Sequence, residues 1–125
     1  MKISSIVIWL AGGFFVLYGM AFSIAPSLMA NVTTGSIPST VSGLVDFRST
    51  YGGMTVAVGV MIFYLARYAS PLHGLRMTYV VLLGMATTRV VGFMVDGATN
   101  ELMYLYLAAE LVGAGLAMFA ARSEP

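Results

Sequence analysis

Two ionisable side chains stand inside long apolar runs of this chain. Arg89 lies in the run from Gly74 to Val95, and Glu110 in the run from Glu101 to Ala121. A charge at mid-bilayer costs roughly 2.5–3.5 kcal/mol on insertion scales, so such groups are rare and need a partner or a task. Arg89 precedes Asp96 by seven residues, which sets it about 10 Å deep at a rise of 1.5 Å per residue. Glu110 follows Glu101 by nine residues and is about 14 Å deep by the same rule. Opposite charges at similar depth on consecutive antiparallel helices should meet. Helical spacing puts Arg89, Gly92, Phe93 and Asp96 on one face, and Met103, Tyr106, Glu110, Gly113 and Ala117 on another. Tyr106, one turn from Glu110, is placed to donate a hydrogen bond to it. Arg48, Tyr51, Gly52, Thr55 and Gly59 follow one face of an earlier helix. If Arg48 enters the bundle, two arginines face Glu110 and Asp96. Phe15, Tyr18 and Phe22 of the first span share a face that would wall a pocket or simply pack.

Three chemistries fit this set. The pair is a structural ion pair that fixes helix register, stabilising little by its presence but costly to break. Alternatively it binds an amphiphile: the arginines hold an acidic or polar head and the aromatic wall holds the tail. The candidates for that site are Arg48, Arg89, Asp96, Glu110, Tyr51, Tyr106 and Tyr18. A third use is Glu110 as a buried acid or base, in an enzyme or a proton-coupled carrier. No nucleophile stands beside a base, so no catalytic residue is assigned. Cysteine is absent and His73 is the single histidine. That excludes disulfides, thiol redox chemistry, zinc-thiolate sites and bis-histidine haem, and no metal or cofactor is assigned. The ten methionines read as flexible core filler.

What must position these residues follows from composition. The chain is 59% hydrophobic and 9% charged, with a mean hydropathy of +0.91, against about 25% charged for a soluble domain. So few charges cannot cover a water-exposed surface, and lipid must cover it instead. A net charge of +1 supplies no basic patch for nucleic acid. A spanning helix needs about 20 mostly apolar residues, and four such stretches occur. They cover residues 3–25, 46–67, 74–95 and 101–121. The expected fold is an all-α integral membrane four-helix bundle forming one domain, 1–125. The first span outlasts the usual apolar core of a signal peptide, about 7–15 residues, and is read as retained. An alternative start for the second span is near Gly43, which puts Asp46 and Arg48 in its first turns. Residues 27–42, rich in Ser, Thr, Gly and Pro, read as a loop, able to fold over the bundle. The turns at Ser70-Pro71-Leu72 and Asp96–Asn100 are short and make antiparallel hairpins. Lys2, Arg67, Arg76 and Arg122 fall on one side and Arg48 on the other, which predicts both ends in the cytoplasm and the long first loop outside.

The segments Leu44-Val-Asp-Phe-Arg48-Ser-Thr-Tyr51-Gly52-Gly53 with Gly59, Arg89-Val-Val-Gly92-Phe-Met-Val-Asp96-Gly97, Glu110-Leu-Val-Gly113 and Ala25-Pro26 resemble, in order, motifs of a family of small bacterial membrane proteins, domain of unknown function 4345. The resemblance covers nearly the whole chain. It implies a four-span bundle in the bacterial inner membrane, distantly like DoxX-type proteins and the animal acetylcholine-receptor chaperone NACHO. It implies no activity, and its site candidates are again Arg48, Arg89, Asp96 and Glu110. Beside the amphiphile-binding reading stands a non-catalytic assembly factor or accessory subunit. Gly12, Gly13, Gly19 and Gly84 would then line a lipid-facing groove for a membrane-protein partner or a second copy, unless they are spent on internal packing. A carrier is disfavoured by the lack of an inverted repeat.

Overall fold

The computed structural model describes residues 2–124, and among them it is helical with no strand. Helix α1 is Ile3–Ile24, α2 Pro26–Thr34, α3 Val41–Tyr68, α4 Pro71–Val95 and α5 Glu101–Ala121. All but α2 are long and apolar enough to cross a membrane. At 1.5 Å per residue they measure about 32–42 Å, enough for a hydrocarbon core of about 30 Å. Leu10 and Leu17 are each 69% exposed and Phe119 62%. Such a surface would aggregate in water but matches hydrocarbon.

Helix α1 packs along α3 and also touches α4 and α5; α4 pairs closely with its neighbours α3 and α5. The α1–α3 crossing is made by glycines spaced seven apart on each helix, Gly12 and Gly19 against Gly52 and Gly59. A Cβ on Gly59 would lie 2.6 Å from the carbonyl oxygen of Gly12, and one on Gly19 would lie 2.7 Å from that of Gly52. Removing side chains there lets the backbones touch, the means by which helices associate without a hydrophobic drive. Val7, Ile8, Phe15, Ile62, Leu75, Ala117 and Ala120 form the packed core. It fills the half of the bundle where the chain begins and ends. Ser4 Oγ there donates to Glu124 Oε1 and ties the two terminal segments together.

The stretch 27–42 departs from the expected loop, because α2 occupies much of it. Pro26 at its first position is pre-organised for a helix start. The hydroxyls that suggest a loop turn back onto the helix: Thr33 Oγ1 donates to the Met29 carbonyl at 2.7 Å and Thr34 Oγ1 to that of Ala30 at 2.8 Å. Ala30 and Thr33 are buried against the bundle. Gly35, at φ 75°, closes α2 in the left-handed conformation that glycine adopts at low cost. Helix α3 then starts at Val41, ahead of the expected 46, because Thr40 Oγ1 accepts from the Gly43 amide at 3.0 Å. Within it, Arg48–Met54 is a π-helical segment. Helix α4 starts at Pro71, three residues before Gly74, with Ser70 Oγ and His73 Nδ1 2.7 Å apart at that end.

Gly59→Ala should therefore force the α1–α3 backbones apart and destabilise the bundle by about 1–3 kcal/mol, as overpacking does. Gly115→Ala, where a Cβ meets nothing within 4 Å, should be neutral. Unfolding of each variant in mixed micelles, followed by circular dichroism, checks the contrast.

Candidate functional site

Arg89 and Glu110 meet. Arg89 Nε donates to Glu110 Oε2 at 3.0 Å and Nη2 to Oε1 at 2.6 Å, a side-on bidentate pair. The planar guanidinium fork matches a carboxylate in this way and makes the pair stronger than a point contact. Helix periodicity explains the encounter: α4 and α5 run antiparallel from the Asp96–Asn100 turn, and each residue lies a similar number of turns from it. The Glu110 side chain is 6% exposed and that of Arg89 17%, so the carboxylate is the deeper partner. Arg89 Nη1 points at Met103 Sδ, 3.0 Å away, and the guanidinium lies 5.4 Å from the centroid of the Tyr106 ring. Thioether sulfur is a weak acceptor, and the ring face offers a cation–π attraction.

Tyr106 meets Tyr18 edge-on, with centroids 6.3 Å apart. From Tyr18 the aromatic contacts run both ways along α1, to Phe14 at 5.4 Å and Phe22 at 5.1 Å. Phe22 stacks on Tyr51 at 5.3 Å, and Tyr51 on Phe47 at 4.8 Å. A continuous line of rings thus joins the ion pair to the start of α3. Tyr18 and Tyr106 are half-buried, and Tyr51 is exposed.

Arg48 does not join the pair. Its Nη1 donates to the carbonyl oxygen of Ser23 and approaches that of Ile24 at 3.5 Å. These carbonyls end α1, where no further helical turn can satisfy them. Arg48 is therefore a helix cap, placed by the π-helical segment that it opens. Asp96 is exposed where α4 ends, and the Arg89–Glu110 pair is the one salt bridge among the described residues. Of the four charges singled out in the sequence, the fold brings two together.

Asn100 plays a part that sequence reasoning missed. Its Oδ1 accepts from the Met103 amide at 3.1 Å and caps α5, while its Nδ2 donates to the Thr33 carbonyl at 3.1 Å. It clasps α2 to α5. An asparagine just before an apolar run is a helix-start signal, but nothing in the sequence points to its second bond. A shallow groove of about 660 Å³ beside this clasp is lined by Val32, Asn100, Glu101, Leu102 and Leu105. A second, of about 410 Å³, lies along Val41, Ser42, Val45, Asp46 and Ser49. Neither is lined by Arg89 or Glu110.

The family model described as a domain of unknown function, DUF4345, matches residues 3–121. The chain belongs to this family. No curated protein and no solved structure matches it, so the likeness to DoxX-type proteins and NACHO gains nothing from these comparisons. The DUF4345 match runs from the first residue of α1 to the last of α5. The ion pair, the aromatic line and the Arg48 cap all lie within it.

Arg89→Gln leaves the Glu110 carboxylate buried without its partner. It should destabilise the bundle by about 3–5 kcal/mol, the cost of breaking a buried pair. Arg89→Gln combined with Glu110→Gln should cost less than the sum of the single changes. A double-mutant cycle of unfolding free energies in mixed micelles measures that coupling.

Proposed function

We propose that this protein binds a lipid-like or other amphiphilic molecule in a bacterial inner membrane, through Arg89 and the tyrosines beside it. The observation that carries the reading is the way Arg89 is used. A guanidinium has five N–H groups. Two meet Glu110 and one meets the Met103 thioether, which leaves two without an acceptor among the described residues. A side chain kept only for register would be expected to sink as deep as its partner. Arg89 instead keeps part of its surface open, beside Tyr18 and Tyr106, whose hydroxyls add donors and acceptors. The ligand's polar head meets Arg89, and its tail lies along the half-buried Tyr18 and the exposed Phe14. Arg48 and Asp96 stand outside this contact, at the ends of helices. No catalytic step is proposed for Glu110, because both of its oxygens are held by Arg89.

Both chain ends face the cytoplasm in this reading, supported by the excess of Lys and Arg at that end of the bundle. The ligand head then lies in the outer half of the membrane. An assembly role through a small-residue face is the second reading. It loses Gly12 and Gly19, which are spent against α3, and keeps Gly13 and Gly84, where an added Cβ would meet nothing beyond their own helix backbone within 4 Å.

Native mass spectrometry of protein extracted with its own lipids should show one defined small molecule on the wild type that Arg89→Gln loses. Bulk phospholipid on both would overturn the proposal. Exchanging the charges, Arg89→Glu with Glu110→Arg, should recover stability without recovering binding, and recovery of both would count equally against it. For orientation, the natural lack of cysteine allows single-site labelling. Ser36→Cys should react with a membrane-impermeant maleimide added to intact cells and Ser70→Cys should not; the opposite pattern reverses the topology.

A further inference from the structure

We infer that the head group taken at Arg89 is uncharged, an ester, ketone or hydroxyl oxygen rather than a phosphate or carboxylate. This rests on the binding reading above and narrows it. The argument is one of charge. Arg89 and Glu110 are joined by two hydrogen bonds and are together neutral. An anionic head on the remaining Arg89 donors would share one guanidinium with the carboxylate, setting two negative charges a few ångströms apart. In a region of low dielectric that repulsion is screened little, and a second cation would be needed to offset it. None is directed at the pair: Arg48 turns its guanidinium to the carbonyls that end α1, and Lys2, Arg67, Arg76 and Arg122 lie at or toward the other end of the helices. A neutral oxygen accepts the same N–H groups without adding charge. Glu110 thus acts as a filter: it neutralises Arg89 and excludes anions by repulsion, the negative element that specificity commonly needs. The half-buried rings of Tyr18 and Tyr106 suit the same head, since their hydroxyls are neutral hydrogen-bonding groups.

The test uses two lipids with the same tails, dioleoylglycerol and dioleoylphosphatidic acid, offered together to the full-length protein in phosphatidylcholine nanodiscs. Retention of each is read by native mass spectrometry after release. Wild type should retain dioleoylglycerol over dioleoylphosphatidic acid by about tenfold or more, a factor within what like-charge juxtaposition produces. Glu110→Gln removes the charge but keeps the shape, so it should reverse the preference toward phosphatidic acid. Arg89→Gln should retain neither. If wild type prefers phosphatidic acid and Arg89→Gln loses it, the charge filter is overturned while binding at Arg89 stands. If wild type retains neither lipid above the level of Arg89→Gln, the binding reading falls and the filter with it. Should Glu110→Gln fail to fold, as judged by circular dichroism, the wild-type preference alone decides between these outcomes.

Discussion

Hydrocarbon cannot solvate a polar group, and most of this structure is a response to that constraint. Every hydrogen-bonding atom within the membrane must find its partner in the chain. Glu110 is the severest case, and Arg89 answers it with a bidentate bond from the facing helix. The same rule governs the smaller groups. Thr78, Thr87 and Thr88 donate back to carbonyls of their own helix, so their hydroxyls need nothing from neighbours. Arg48 donates to the carbonyls that end α1, and Asn100 accepts from the Met103 amide in the first turn of α5. Among the described residues no buried side-chain nitrogen or oxygen lacks a partner. The α4–α5 hairpin is held in register by one strong bond, and the positions of Met103 and Tyr106 follow from it.

The helical nature of the chain was legible because the solvent reduces the choice. Twenty apolar residues in a row admit few folds in lipid, and the four long helices follow from run length alone. The meeting of Arg89 and Glu110 was legible for a related reason. Depth along an antiparallel hairpin is counted from the shared turn, and two opposite charges at equal depth have nowhere better to go. What composition concealed was local. Residues 26–34 carry the Ser, Thr and Pro of a loop, yet Thr33 and Thr34 return their hydroxyls to the backbone and Pro26, just past the end of α1, starts a second helix. Composition records that a side chain can compete with the backbone; it does not record which side wins.

Arg48 shows a different limit. Its spacing with Tyr51, Gly52 and Gly59 presumes 3.6 residues per turn, and the π-helical segment Arg48–Met54 breaks that count. A wider turn rotates everything before it relative to everything after. Gly52 and Gly59 still meet α1, while Arg48 swings to the end of that helix instead of into the bundle. Two adjacent glycines, Gly52 and Gly53, are the only sequence trace of this loosening, and they would suit an ordinary close crossing equally well. Helical-wheel arguments are reliable on α4 and α5, which run without interruption, and fail where the helix changes pitch.

The two halves of the bundle are built differently, and this bears on function. Where the chain begins and ends, Val7, Ile8, Ile62, Leu75, Ala117 and Ala120 interlock as aliphatic packing. Toward α2 the spaces between helices are filled by rings, one ion pair, the Arg48 cap and the Asn100 clasp. Close-packed aliphatic groups lose many contacts at once when helices part, so that half resists opening. Directed contacts can be exchanged singly: a ring turns, or an N–H changes acceptor, while the backbone stays in place. Local opening is easiest where such contacts dominate and tightly packed apolar groups are few. An amphiphile reaching Arg89 would displace a thioether and slide along aromatic faces without parting the core. The fold thus places its replaceable contacts around Arg89, a half-buried cation with donors to spare, and its irreplaceable ones at the opposite end.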